Sequence, residues 1–158
     1  LGSVWSADVC SSDPCLALAQ LARADGQREV SMVASGAVAA IVAAMQAHVG
    51  DANIQQEACA AIASIVRYGG GDRATVVASV SGVTAILNAI AAHSQVEIVQ
   101  KEGCHALLAL TDYSQSGEAN LPELPKTQTE PLLQQAKDDF PTSCGPLADK
   151  ILKRMESE

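Results

Sequence analysis

The sequence predicts an all-α protein, and its composition and hydrophobic patterning carry this prediction. The 158-residue chain contains 28 alanines, the best helix former, whereas only 3% of its residues are aromatic, a class that strands favour. Its hydrophobic content of 48% is sufficient for a packed core and excludes a disordered chain. Apolar residues also recur at helical spacing within segments that repeat along the chain.

Charge and hydropathy exclude two classes of function. The formal net charge of −8 argues against a nucleic-acid-binding protein, because such proteins need a basic surface. The longest unbroken apolar run covers residues 37–45, far short of the roughly 20 residues that a membrane-spanning helix requires. The sequence therefore predicts neither a nucleic-acid partner nor a membrane span.

The first residues differ in character from the rest of the chain. The chain begins with Leu1, and residues 8–13 resemble the translation of a sequencing adapter. We therefore expect residues 1–13 to be a non-native or disordered segment, which is excluded from reasoning about the fold. The sequence is also consistent with a fragment of a longer array, with further repeats on its N-terminal side.

An internal repeat with an offset of 45 residues organises the middle of the chain. Self-similarity at such a period is typical of proteins built from stacked helical units. The matching pairs are Arg28 and Arg73, Val38 and Val83, Ile41 and Ile86, Met45 and Ile90, His48 and His93, Gln55 and Gln100, Glu57 and Glu102, and Cys59 and Cys104. A further copy of the last helix of the unit begins at Cys15.

Each unit is predicted to contain three helices. A short helix (28–34 and 73–79) is expected to end at a Ser-Gly pair, Ser35-Gly36 or Ser81-Gly82. A second helix (37–47 and 83–92) follows, with a histidine at its C-terminal end, where an imidazole ring can meet free carbonyls. After a turn, a long third helix covers 53–68 and 96–113, and the glycines at 69–71 terminate its first copy.

The C-terminal part departs from this pattern. Residues 114–128 contain two prolines and little periodicity, which predicts a loop. Thr129 is expected to cap a helix with Pro131 in its first turn, and Phe140-Pro141 to end that helix. A last amphipathic helix covers 146–155. We interpret residues 129–158 as a capping helix pair, because the end of a repeat array needs a polar outer face.

The repeat motifs resemble those of the armadillo repeat family. The period alone favours an armadillo or HEAT array. The segments Ser-Gly-Ala-Val-x-x-Ile-Val from Ser35 and Asp-x-x-Ile-Gln-x-Glu-Ala-Cys-x-Ala-Ile from Asp51 make the armadillo resemblance more specific. It covers residues 14–113 and is most similar to the armadillo-like repeats of leucine-rich repeat kinases and protist scaffold proteins.

This resemblance implies a right-handed α-solenoid, an armadillo-like superhelix of about 2.5 repeats that is followed by the C-terminal capping helix pair. Its units would be a third helix at 14–24, a repeat at 25–69 and a repeat at 70–113.

Nothing in the sequence predicts catalysis, a metal or a cofactor. Motifs for a phosphate-binding loop, a nucleophilic serine or a zinc protease are missing from the sequence. The five cysteines include no C-x-x-C pair and no zinc spacing. They predict free, mostly buried thiols in a reducing compartment, which favours an intracellular, cytoplasmic location.

The resemblance also implies where a partner would bind, because the third helices of armadillo arrays line a concave groove. Nuclear import adaptors carry a Trp and an Asn four residues apart there. The matching positions here hold Ala60 with Ser64, His105 with Ala109, and Leu16 with Gln20. Binding of import signals is therefore not expected. The candidate groove residues are Gln56, Ser64, Arg67, Tyr68, Lys101, His105 and Tyr113. The alternative is that these are ordinary solvated helix residues.

The predicted function is that of a protein–protein interaction scaffold or adaptor that binds a protein or an extended peptide. Stacked repeats expose a long curved surface that positions partners without bond chemistry. One alternative is a structural subunit of a larger assembly. Another is a regulatory armadillo domain attached to a kinase or a ubiquitin ligase.

Overall fold

A computed structural model describes residues 30–69, 77–78, 81–114 and 124–157. The helices are α1 (Val30–Ala47), α2 (Ala52–Gly69), α3 (Gly82–Ala92), α4 (Glu97–Ser114), α5 (Lys126–Asp139) and α6 (Gly145–Glu156), and the described residues include no strand. The all-α prediction is confirmed. The segment 1–13 and the predicted helix at 14–24 lie outside the described residues.

The helices form three consecutive hairpins that contact one another in two rows. Within the hairpins α1 packs on α2, α3 on α4, and α5 on α6. Across the hairpins α1, α3 and α5 form one row of contacts, and α2, α4 and α6 form the other. The α2–α4 contact is the most extensive of all. The largest fully buried apolar side chains are Ile41, Met45, Ile62, Ile86, Ile90, Leu107, Leu110, Leu133 and Ile151, which come from all six helices.

A glutamine holds the first two hairpins closed in the same way. Gln55 Nε2 donates to the carbonyl oxygens of Met45 at 3.0 Å and His48 at 2.8 Å. Gln100 Nε2 donates to the equivalent carbonyls of Ile90 at 2.7 Å and His93 at 2.8 Å. Both glutamines are buried. Each satisfies a carbonyl in the last turn of the preceding helix, Met45 or Ile90, where helix carbonyls lack an amide partner. Each also donates to a histidine carbonyl in the turn that a backbone amide already bonds. We call this arrangement the glutamine clamp.

The turns of neighbouring hairpins also bind each other. His93 Nε2 lies 2.6 Å from the carbonyl oxygen of Val49, so the ring donates to the preceding turn. The predicted bond from a histidine ring to a carbonyl therefore forms for His93, but the carbonyl belongs to the turn of the preceding hairpin and not to the end of its own helix. Ser143 in the turn of the third hairpin bonds to the Glu97 carboxylate at the start of α4.

The predicted break at Ser35-Gly36 is wrong, whereas the break at Ser81-Gly82 is confirmed. α1 continues through Gly36, around which a Cβ atom would meet nothing within 4 Å. Ser81 adopts a left-handed conformation with φ 61, and α3 begins at Gly82. A Cβ atom on Gly82 would lie 2.6 Å from the carbonyl oxygen of Val77. At Gly82 the start of α3 thus packs closely against the backbone of Val77, whereas no other segment approaches Gly36.

The start of the third hairpin also differs from the prediction. α5 begins at Lys126, so the predicted loop at 114–128 extends too far and Thr129 does not cap the helix. Pro125 precedes α5, and its carbonyl accepts from the amides of Gln128 and Thr129. Thr129 is instead fully buried within α5. Because the ring of Pro125 fixes its φ at a value that suits the start of a helix, α5 begins before the predicted position at Thr129.

The remaining helix ends follow local rules. Asp51 caps α2, since its Oδ1 accepts from the amides of Asn53 at 3.0 Å and Ile54 at 3.2 Å. The predicted end of α5 at Phe140 and the predicted last helix are confirmed. Lys137 and Asp149 form an ion pair between α5 and α6. Among the described helices, none combines the length and apolar character needed to cross a bilayer.

Candidate functional site

The predicted groove residues lie on α2 and α4, the two helices with the most extensive mutual contact. Arg67 and Tyr68 are exposed, Tyr68 to 48%. Gln56, Lys101 and His105 are half-buried. These five side chains therefore retain surface that a partner can reach.

The other two predicted groove residues contribute differently. Ser64 is only 6% exposed, so its side chain takes part in helix packing and offers little area to a partner. Tyr113 lies within α4, and its side chain is outside the described part of the structure.

Burial and neighbouring charges both act on the pKa of His105 in the predicted groove. Burial lowers the pKa of its imidazole, and the positive charges of Arg67 and Lys101 lower it further, against the opposing effect of Glu102. Lys101 and His105 are four residues apart on one face of α4, and Arg67 lies near the C-terminal end of α2. Of the predicted set, Arg67 and Lys101 are thus near enough to His105 to affect it electrostatically.

An arginine of α6 bonds to the C-terminal part of α4, a contact that periodicity alone did not reveal. Arg154 Nη1 donates to Thr111 Oγ1 at 3.1 Å and to the Leu108 carbonyl oxygen at 3.5 Å, and its Nη2 pairs with the Asp112 carboxylate. Thr111 Oγ1 also donates to the Leu108 carbonyl at 2.9 Å. Arg154 therefore joins α6 to the C-terminal part of α4.

An open groove lies beside the start of α4. It has a volume of about 510 Å³ and is lined by Gln95, Val96, Glu97, Ile98, Lys101 and Ser143. Ile98 is 39% exposed, so the groove combines an apolar side chain with an ammonium group and a carboxylate. We call it the α4 groove.

The described cysteines are free thiols, as the sequence predicts. Cys59, Cys104 and Cys144 are all buried, while Cys10 and Cys15 lie outside the described residues. Burial raises the pKa of Cys59 to about 12, with a smaller contribution from Glu102. In the part of the chain that the structure describes, no group of three His, Cys, Asp or Glu side chains is placed to hold a metal ion.

The lowered pKa of His105 predicts a loss of stability in mild acid. The unfolded chain takes up the proton near the ordinary value of 6.5, before the folded protein does. Protons therefore favour the unfolded state as the pH falls from above 6.5 toward the lower folded value. We expect the free energy of unfolding to fall over this range in the wild type and to fall less in His105→Gln.

Denaturant unfolding at several pH values measures this difference. Lys101→Met serves as the second variant, because removing its charge raises the His105 pKa and reduces the pH dependence in part. Identical pH profiles for the wild type and His105→Gln would contradict the prediction.

Comparison with known proteins identifies no relative of this chain. No family model, no curated protein and no solved structure matches the chain. The described residues form three consecutive helical hairpins and define an all-helical class of protein.

Proposed function

We propose that this chain is an armadillo-type protein–protein interaction scaffold that holds a protein or an extended peptide along α2 and α4 and performs no catalysis. The observation that carries the proposal is the repeated glutamine clamp. Met45, His48 and Gln55 recur as Ile90, His93 and Gln100, and both sets make the same hydrogen bonds. A repeated hairpin with a repeated internal bond is what a repeat array needs in order to stack.

The two rows of helices support an array in which binding occurs on one side. Each hairpin contributes one helix to each row, so equivalent surfaces of successive units lie next to each other. Repeat proteins use such extended surfaces to bind partners over several units. The α2–α4 row presents the exposed Tyr68 and Arg67 together with the half-buried His105.

The chemistry of these side chains suits recognition of a peptide. Tyr and Arg are enriched among the residues that dominate binding energy at interfaces. Tyrosine offers apolar ring area together with a hydroxyl group. Arg67 and Lys101 supply donors for carboxylates or backbone carbonyls of a bound chain. We propose that Arg67, Tyr68, Lys101, His105 and Gln56 form the binding surface.

Selection from a random peptide library displayed on phage tests this proposal. We expect the full chain to enrich peptides whose affinity falls about tenfold in Tyr68→Ala and in Arg67→Ala, which corresponds to about 1.4 kcal/mol each. The matched controls are Gln46→Ala and Asn88→Ala, exposed residues on the opposite row, in α1 and α3. Both control variants are expected to bind like the wild type.

Two results would overturn the binding surface. One is a selection that enriches no peptide. The other is an affinity loss in Gln46→Ala or Asn88→Ala that equals the loss in Tyr68→Ala, because binding would then involve the α1–α3 row.

A further inference from the structure

The α4 groove places an apolar side chain and a positive charge next to each other. Ile98 is 39% exposed there, although most large apolar side chains of the described residues are buried. Lys101 follows three residues later in α4, so the two side chains are neighbours on the helix surface, with Cβ atoms about 5–6 Å apart. Val96, which is half-buried, adds apolar surface to the same groove.

The ammonium group of Lys101 has no hydrogen-bond or ion-pair partner among the described residues. Glu97 lies four residues earlier in α4, a spacing at which a glutamate and a lysine can pair on a helix. The Glu97 carboxylate instead accepts a hydrogen bond from the Ser143 hydroxyl, which comes from the turn before α6. The groove therefore presents a positive charge that can still bind an anion.

We propose that the α4 groove binds two side chains of one extended peptide, an acidic one on Lys101 and a large aliphatic one on Ile98. This inference rests on the proposed scaffold function and names the class of peptide that the scaffold holds. Charge complementarity selects the carboxylate, because the Lys101 ammonium donates to carboxylate oxygens. The aliphatic side chain covers the exposed part of Ile98 and removes apolar surface of both partners from water.

The distance between Ile98 and Lys101 fixes the spacing in the peptide. In an extended chain, neighbouring side chains point to opposite sides, and residues two apart lie on one side with a separation of about 7 Å. This separation is close to that of Ile98 and Lys101, and the flexible lysine stem covers the difference. The peptide therefore has the form Leu-x-Asp or Asp-x-Leu, depending on its direction along α4.

Glu97 limits the negative charge that the groove accepts. Its carboxylate lines the same groove, and the whole chain carries a formal net charge of −8. A densely charged polyanion is therefore repelled, whereas a single carboxylate can lie at Lys101, one helical turn beyond Glu97. The favoured partner is a peptide with one acidic residue at this place.

The peptides that the full chain enriches from the random phage library test this inference by their sequences. We expect an acidic residue two positions from a large aliphatic residue more often than in the unselected library. A synthetic peptide with such a pair is then compared with two altered forms, one with Asp replaced by Asn and one with the aliphatic residue replaced by Ser. Each altered form is expected to bind about fivefold more weakly. This comparison uses the wild-type protein and needs no variant to fold.

Variants of the protein locate the two contacts. Lys101→Met is expected to weaken binding of the Asp peptide about fivefold and to leave binding of the Asn peptide unchanged. Ile98→Ser is expected to weaken binding of both peptides. The matched controls are Lys126→Met and Val49→Ser, which alter an exposed lysine and an exposed valine outside the α4 groove. Both controls are expected to bind like the wild type.

The results that overturn this inference differ from those that overturn the scaffold. Enriched peptides that lose affinity in Tyr68→Ala but bind equally well in their Asp and Asn forms would overturn the inference and leave the scaffold proposal in place. A loss in Lys126→Met equal to the loss in Lys101→Met would also overturn it, because the carboxylate would then respond only to overall charge. A selection that enriches no peptide would overturn both proposals.

Discussion

Gly82→Ala is expected to destabilise the protein by about 1–3 kcal/mol, the usual cost of forcing extra volume into a packed site. The added Cβ atom would lie 2.6 Å from the carbonyl oxygen of Val77 and would also strike its Cγ1 atom. Because Val77 is fully buried, its side chain has no free space into which it could move away from the new Cβ atom. Its carbonyl oxygen is part of the backbone and cannot move without moving the chain. The substitution therefore requires α3 to move away from the segment that precedes it.

Gly36→Ala is the matched control, with the opposite expected sign. Gly36 is the glycine of the equivalent Ser-Gly pair, but it lies inside α1, is exposed, and has open space around its Cα. Alanine in a helix interior is more favourable than glycine by about 1 kcal/mol. We expect Gly36→Ala to stabilise the protein by an amount of this order.

Denaturant unfolding followed by far-UV circular dichroism measures both variants. A change in the midpoint with an unchanged slope identifies a change in stability. If Gly82→Ala is as stable as the wild type, the close approach of Val77 does not constrain residue 82. If Gly36→Ala is less stable than the wild type, residue 36 does not lie in the open interior of an uninterrupted helix, as the structure has it.

The helices were predictable because their signals are local and repeated. Alanine content and apolar spacing predicted α2, α3, α4 and α6 to within a residue or two of their observed ends. The two errors have one kind of cause. Of the two Ser-Gly pairs, only Ser81-Gly82, where Val77 packs against the glycine, interrupts the helical structure. At the third hairpin, Pro125 starts α5 before the Thr129-x-Pro pattern that was expected to begin it. Such outcomes depend on tertiary contacts and on competition between neighbouring signals.

The candidate site was predictable only as a helix face. Periodicity places Lys101 and His105 on one side of α4, but the approach of Arg67 depends on how α2 packs beside it. Cys144 has no repeat partner, so no spacing in the sequence indicates that it joins the same core cluster as Cys104. Gln55 and Gln100 did carry a signal, because they recur within an apolar stripe, but their acceptors are main-chain carbonyls that no side-chain pattern identifies.

Removing the glutamine clamp is expected to have the largest effect on stability. Gln100→Ala should lower the free energy of unfolding by about 2–4 kcal/mol, since two hydrogen bonds are lost and the Ile90 carbonyl remains without a donor. The Ile90 carbonyl lies in the last turn of α3, where helix carbonyls lack an amide partner, whereas the His93 carbonyl also accepts from the amide of Val96. Gln55→Ala should behave in the same way in the first hairpin.

Gln100→Met separates the hydrogen bonds from the volume of the side chain. Methionine fills similar space without a donor, so we expect most of the loss in Gln100→Ala to persist in Gln100→Met. Gln46→Ala, an exposed glutamine of α1, is the control and should unfold like the wild type. Wild-type stability in Gln100→Met would mean that the clamp acts by packing alone. A similar loss in the Met variants at both 55 and 100 would instead establish that one polar contact, repeated at the same place in successive hairpins, closes each of them.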